Sequence, residues 1–242
     1  MRILSVEQLS KNFGGLKAIN NVDFYIDEGE IVGIIGPNGS GKTTFLNLIT
    51  GFLKPNSGKI IFRGKEIGGQ PRYKVCQQGI ARTFQLCKPF LDFTALQNVM
   101  VGRAYGQQPS SNLRLAEKES MEILEQIGLG SKSHVQVKDL TVMQRKRLEL
   151  ARALATKPSL LLLDELMAGL NAVEADEACK LITQIRDSNV TIIIVEHIVK
   201  AVTCISDRIS VLNMGEKIAE GEPEVIVHDP KVIEVYLGKT HA

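Results

Sequence analysis

The stretch Gly36-Pro37-Asn38-Gly39-Ser40-Gly41-Lys42-Thr43-Thr44 restricts this chain more than any other. It matches G-x-x-x-x-G-K-[ST] without a gap, and it has the flanks that the pattern requires. The apolar run Ile31-Val32-Gly33-Ile34-Ile35 precedes it and reads as a buried strand. Phe45-Leu46-Asn47-Leu48-Ile49-Thr50-Gly51 follows and reads as a short helix ended by a glycine. Glycines at these offsets let the backbone curl until successive N–H groups point inward, which makes a cradle for a polyphosphate. A helix starting near Gly41 adds the positive end of its dipole. Lys42 brings an ammonium to the β- and γ-phosphates, and Thr43 offers a hydroxyl to Mg2+. The competing interpretation, a glycine-rich turn without a ligand, does not account for Lys-Thr at this offset between a strand and a helix.

The 242 residues suit one large domain, or a domain that carries an insertion. A formal net charge of +2 gives no electrostatic footprint for nucleic acid. No apolar run approaches the ~20 residues of a membrane-spanning helix; the longest, residues 160–163 and 190–195, have strand length. The start Met1-Arg2-Ile3-Leu4-Ser5-Val6-Glu7 meets an acid at once and offers no signal-peptide core, so a cytoplasmic location is expected. Cys76, Cys87, Cys179 and Cys204 form no C-x-x-C pair and no zinc pattern, and they read as reduced structural thiols.

Before the phosphate loop, residues 3–9 and 22–26 alternate apolar and polar, as half-buried strands do. Phe13 lies in the loop between them beside Gly14 and Gly15, where an aromatic either stacks on a purine base or tucks against the sheet. Beyond the loop, Lys54-Pro55-Asn56-Ser57-Gly58 is a turn and residues 59–64 another strand. From about residue 86 to residue 157 the pattern becomes helical, with candidate helices at 95–100, 111–127 and 143–156 and no strand between them. This predicts an α-helical insertion in an α/β core. The basic residues of the third helix read as a solvated face.

Two later runs are largely apolar, the second interrupted by Thr191, and predict parallel strands buried on both faces. Residues 159–163 lead into Asp164-Glu165, and residues 190–195 lead into Glu196-His197. Active sites of open parallel sheets lie outside the carboxyl ends of the strands. Asp164 is there suited to hold Mg2+ through water, and Glu165 to orient or deprotonate an attacking water. Gln85 and His197 sit at other loop or strand ends of the same sheet. A lone histidine at a strand end is commonly a structural hydrogen-bonder, but the convergence of these ends beside a phosphate loop points His197 to the γ-phosphate. A helix at 172–188, a hairpin at 208–220 turned at Asn213-Met214-Gly215-Glu216, and a short helical tail at 222–237 complete the pattern.

Together these residues resemble the ATP-binding subunits of ABC transporters over essentially the whole chain. The resemblance implies a phosphate-loop RecA-like α/β core with an antiparallel β subdomain and an inserted α-helical subdomain. The core and β subdomain would occupy 1–85 and 158–215, the helical subdomain 86–157 and a tail 216–242. It implies that ATP is held by Phe13 against the adenine and by Gly36, Pro37, Asn38, Gly39, Ser40, Gly41, Lys42, Thr43 and Thr44 around the phosphates. Mg2+ would be held by Thr43, Gln85 and Asp164. Glu165, His197 and Gln85 would carry the hydrolysis, and Thr141 and Gln144 of the signature would meet the nucleotide of a second subunit. Phe13-Gly14-Gly15-Leu16-Lys17-Ala18, Gly79-Ile80-Ala81-Arg82-Thr83-Phe84-Gln85 and Val235-Tyr236-Leu237-Gly238 look like the branched-chain amino acid importer subgroup. Subunits serving urea, amides or lipopolysaccharide share parts of the same pattern.

The implied partners are a second ATP-binding subunit, identical or not, and membrane-embedded permease subunits docked near residues 86–102. A substrate-binding protein would act indirectly, and the chain would sit on the inner face of the cell membrane. Two departures from the family pattern stand out. The signature is Leu140-Thr141-Val142-Met143-Gln144, with Met143 where a glycine is usual, and Leu166 replaces the usual proline after Glu165. A methionine there is expected to crowd the shared phosphate and to remove a glycine-only backbone conformation. Loss of proline is expected to loosen the loop that aims Glu165. The alternative function is therefore a module that dimerises on ATP but hydrolyses it poorly.

Overall fold

The computed structural model describes residues 1–84, 88–196 and 199–237. The expectations placed on Gln85, His197 and Gly238 lie outside the described residues. The chain divides into two compact units, Met1–Arg72 with Leu162–Ala242, and Tyr73–Leu161.

The first unit opens with the strands β1 (Arg2–Phe13) and β2 (Leu16–Asp27), then β3 (Ile31–Ile35) and the helix α1 (Lys42–Ile49). β4 (Ser57–Phe62) and the short β5 (Lys65–Glu66) follow. One sheet has the order β2-β1-β4-β5 and is antiparallel throughout. Val22, Phe24 and Ile26 face its core at the period of two expected from the sequence. Both long strands run past the alternating stretches. Gln8 and Asn21 take positive φ where the register shifts, and side chains complete the interrupted ladder. The Gln8 N–H donates to Asp23 Oδ1 at 2.8 Å and the Asn21 N–H to Ser10 Oγ at 3.0 Å. Bulges of this kind let a strand continue through polar residues that break the sequence pattern.

The chain then enters the second unit through α2 (Arg72–Gln77), a short helix with no clear periodicity, and β6 (Ile80–Arg82). Three helices follow, α3 (Ala95–Tyr105), α4 (Leu113–Gln126) and α5 (Val142–Ala155). α4 buries Ala116, Ser120 and Leu124, one position per turn. Thr94 and Thr141 start α3 and α5 with reciprocal capping boxes, each contributing about 1 kcal/mol. Glu119 of α4 joins Arg103 and Lys157 in an ion triad. The basic residues of α5 are not simply a solvated face. Arg145 donates to the carbonyls of Val137 (3.1 Å) and Lys138 (2.6 Å), and Arg152 lies over the Phe90 ring.

β7 (Leu160–Asp164) carries the chain back to the first unit. There α6 (Ala172–Asp187), β8 (Thr191–Val195), α7 (Val199–Ile205), β9 (Arg208–Asn213), β10 (Glu216–Gly221), α8 (Pro223–Val227) and α9 (Pro230–Leu237) follow. The second sheet of this unit runs β10-β9-β3-β8-β7, with β3 parallel to both β8 and β9. Every residue of β3, β7 and β8 is buried, which is the predicted signature of central parallel strands. Each of the four fully buried leucines of β7 contributes about 1.5–3 kcal/mol. The carboxyl ends of β3, β7 and β8 are thereby set side by side, and each releases a loop of chemical interest.

Candidate functional site

The loop leaving β3 has positive φ at Gly36 (153°), Gly39 (80°) and Gly41 (106°). A side chain on Gly36 would place its Cβ 2.1 Å from the Leu212 carbonyl oxygen, so the loop is packed directly on β9. The turn between β9 and β10 also supports it, because the Gly215 N–H donates to Ser40 O at 3.0 Å. Gly41 is the N-cap of α1 and supplies no side-chain cap, so no side chain blocks the first-turn N–H groups from an anion. Lys42 is 5% exposed, and its Nζ donates to Gly36 O (2.7 Å) and Pro37 O (3.0 Å). Burial pushes the Lys42 ammonium below the ordinary lysine range, while the charges of Glu165 and Asp164 oppose that shift. Its field thus links the loop to the end of β7.

Asp164 closes β7 and is buried. Glu165 leaves the strand with φ 51°, a left-handed backbone in a residue other than glycine. Such outliers are held by their surroundings and cluster at functional sites. Its N–H donates to Val195 O at 2.9 Å, and two residues later the Met167 N–H donates to Glu196 Oε1 at 2.6 Å. The turn is fastened from β8 through its backbone, whichever residue stands at 166. Phe13 ends β1 at the hairpin tip, 46% exposed, with Lys11 Nζ 5.3 Å from its ring centroid; it is not tucked into the sheet.

These residues fit a nucleotide triphosphate. The glycine cradle, the buried ammonium and the buried Ser40 Oγ, which has no protein partner, provide donors for phosphate oxygens. Among the described residues no cluster of three or more His, Cys, Asp or Glu could hold a metal by itself. Thr43 and Asp164 suit Mg2+, which binds through one or two protein groups together with substrate phosphates.

In the second unit, Thr141 Oγ accepts the Gln144 N–H at 3.2 Å, and Gln144 Oε1 accepts the Thr141 N–H at 3.0 Å. Val142 and Met143 are the first two residues of α5 and have no positive φ. The expected loss of a glycine-only conformation therefore does not arise, because right-handed helix accommodates methionine there. The more prominent side chain is Val142, 74% exposed, while Met143 is half-buried.

Sequence reasoning missed three supporting groups. Glu149 on α5 is buried and accepts the Phe84 N–H at 2.6 Å, Glu196 holds the turn after Glu165, and Tyr236 of α9 hydrogen-bonds with the Gly36 backbone. Burial pushes the Tyr236 phenol upward and that bond opposes the shift. Only a buried acid inside an otherwise apolar pattern could have signalled the first two.

A parallel sheet with a glycine-and-lysine loop at one strand end and two acids at another defines a nucleotide-binding phosphate-loop protein. Residues 19–168 match the ABC transporter family, and residues 216–242 match a branched-chain amino acid ATP-binding cassette transporter family. The chain belongs to the ABC transporter family. It is 40% identical to the high-affinity branched-chain amino acid transport ATP-binding protein BraF of Pseudomonas aeruginosa, over 98% of each chain. Its fold superposes on a nucleotide-free ATP-binding cassette from an ABC transporter with a TM-score of 0.90 and 33% identity, covering 99% of this chain and 100% of that one. A dimeric cassette in a post-hydrolysis state bound to ADP and Pi is similar with a TM-score of 0.83 and 25% identity, covering 91% and 99%. Among the described residues no helix is long and apolar enough to cross a membrane.

Proposed function

We propose that this chain hydrolyses ATP to power import of branched-chain amino acids, as the ATP-binding subunit of a membrane transporter. The observation that carries the hydrolytic part is that buried Lys42 and Asp164, with the half-buried Glu165, stand at the ends of β3 and β7, which flank β8 in one sheet, and that both acids act on the Lys42 ammonium. The likeness to BraF along the full length supports the substrate class. In this reading ATP lies between the phosphate loop of one subunit and the Thr141–Gln144 helix start of another. Lys42 neutralises the terminal phosphates, and Mg2+, held by Thr43, Gln85 and Asp164, would neutralise further phosphate charge. Glu165 aims the attacking water, with His197 contacting the γ-phosphate. Binding closes the dimer and hydrolysis reopens it, because the ligand favours one of two conformations. Permease subunits bring the chain to the inner face of the membrane.

The test is reconstitution with the permease subunits and binding protein in proteoliposomes. ATP-dependent leucine uptake, abolished by Glu165→Gln, is the expected result. Transport of urea or a short amide in place of leucine would overturn the substrate assignment. A second reading, closure on ATP with slow turnover, is favoured by the exposed Val142 at the signature. Slow hydrolysis by a self-paired dimer, restored by a partner with a glycine signature, would establish that reading.

A further inference from the structure

We propose that Glu196 is a positioning residue for Glu165, acting through the backbone of the turn between them; this rests on the reading of Glu165 as the residue that aims the attacking water. Glu165 holds a left-handed backbone, φ 51°, although it is not a glycine. Something in the surroundings must therefore determine that conformation. Two consecutive residues at the end of β8 do so. Val195 O accepts the Glu165 N–H at 2.9 Å, and Glu196 Oε1 accepts the Met167 N–H at 2.6 Å. The turn is thus fixed on both sides of residue 166.

Glu196 is 0% exposed, and Met167 is equally buried. A carboxylate taken out of water is costly unless hydrogen bonds compensate it. A carboxylate accepting a backbone N–H makes a shorter and stronger bond than a neutral acceptor. Glu196 also lies next in the chain to His197, the residue implied to contact the γ-phosphate. One buried side chain therefore couples the segment carrying that histidine to the turn that aims Glu165. A displacement of about 1 Å in such a group costs on the order of 100-fold in rate.

The experiment uses the assembled transporter with Glu196→Gln, Glu196→Leu and Glu165→Gln. It measures kcat and KM for ATP, affinity for a fluorescent ATP analogue, and hydrogen exchange at the Met167 amide. Glutamine keeps an oxygen acceptor, so Glu196→Gln should keep kcat within about threefold and the amide protected. Glu196→Leu should lower kcat by about 100-fold, leave nucleotide affinity within about twofold and speed exchange at Met167. Near-normal kcat in Glu196→Leu would overturn the proposal, as would a parallel loss of affinity and kcat. If Glu196→Leu does not accumulate, Glu196→Gln decides: retained kcat and protection support the proposal, and a tenfold loss of kcat with protection intact overturns it. Unimpaired hydrolysis by Glu165→Gln would instead overturn the reading of Glu165, whatever the Met167 amide shows.

Discussion

Alanine substitutions at two glycines of the phosphate loop should have different costs, and the difference tests the loop's packing. Gly39 and Gly41 both have left-handed φ, 80° and 106°. Placing alanine in that region costs about 1–2 kcal/mol at either position. At Gly39 the added Cβ meets nothing within 4 Å. At Gly41 it would lie 2.6 Å from the Ala18 carbonyl oxygen and 3.0 Å from Ile19 Cδ1. The first contact is with backbone of β2 and cannot rotate away, so an overpacking cost of about 1–3 kcal/mol adds to the strain. The totals are about 1–2 kcal/mol for Gly39→Ala and about 2–5 kcal/mol for Gly41→Ala. For a chain of this size each kcal/mol lowers Tm by about 2–4 °C, so Gly41→Ala should melt several degrees below Gly39→Ala. Differential scanning calorimetry reads both, and binding of a fluorescent ATP analogue reports whether the loop still cradles phosphate. Equal Tm values for the two variants would refute the reasoning, because they would mean that β2 does not confine the loop at Gly41.

Three further outcomes are expected. Replacing both Val142 and Met143 with glycine should raise ATP turnover in a self-paired dimer while lowering stability by about 1–2 kcal/mol, from two glycines in the first turn of a helix; the substitution at 142 should account for most of the gain, and an unchanged rate in an enzyme-coupled assay would reject steric crowding. Hydrogen bonds from Arg103 and then Lys157 hold the Glu119 carboxyl below its ordinary 4.5, so the unfolded chain binds that proton more readily. The stability this group contributes is then complete above pH 4.5 and is lost as pH falls through its lower folded value, and Glu119→Gln should flatten that acid slope in thermal melts. Lys42 sits below its ordinary 10.5 because of burial, and only its charged form attracts phosphate, so nucleotide affinity measured by titration should fall on the alkaline side before pH 10.5 and should lose that dependence in Lys42→Met.

Much of this architecture was legible before any coordinates, because its signals are local. The four-residue apolar run of a strand such as β8 and the glycine and lysine offsets of the phosphate loop each act over a few residues. The α2 helix escaped notice because six residues hold too little periodicity. The long reach of β1 and β2 escaped because side chains of Asp23 and Ser10, not the pattern, repair their ladder. The signature shows the opposite error. Its residue types suggested a constraint at Met143 that the backbone does not impose, while the exposed side chain is Val142.

By itself the sequence determined that this chain builds a buried parallel sheet with a phosphate cradle at one strand end and acids at another. Those properties follow from residue type and spacing. Only the tertiary structure decided what holds them in place. Gly215 supports Ser40, Tyr236 meets Gly36, Glu149 reaches Phe84 and Glu196 reaches Met167, each across tens of residues or more. A hydrogen bond between groups so distant in the chain leaves no periodic trace, because its partners become neighbours only when the strands have paired and the helices have packed.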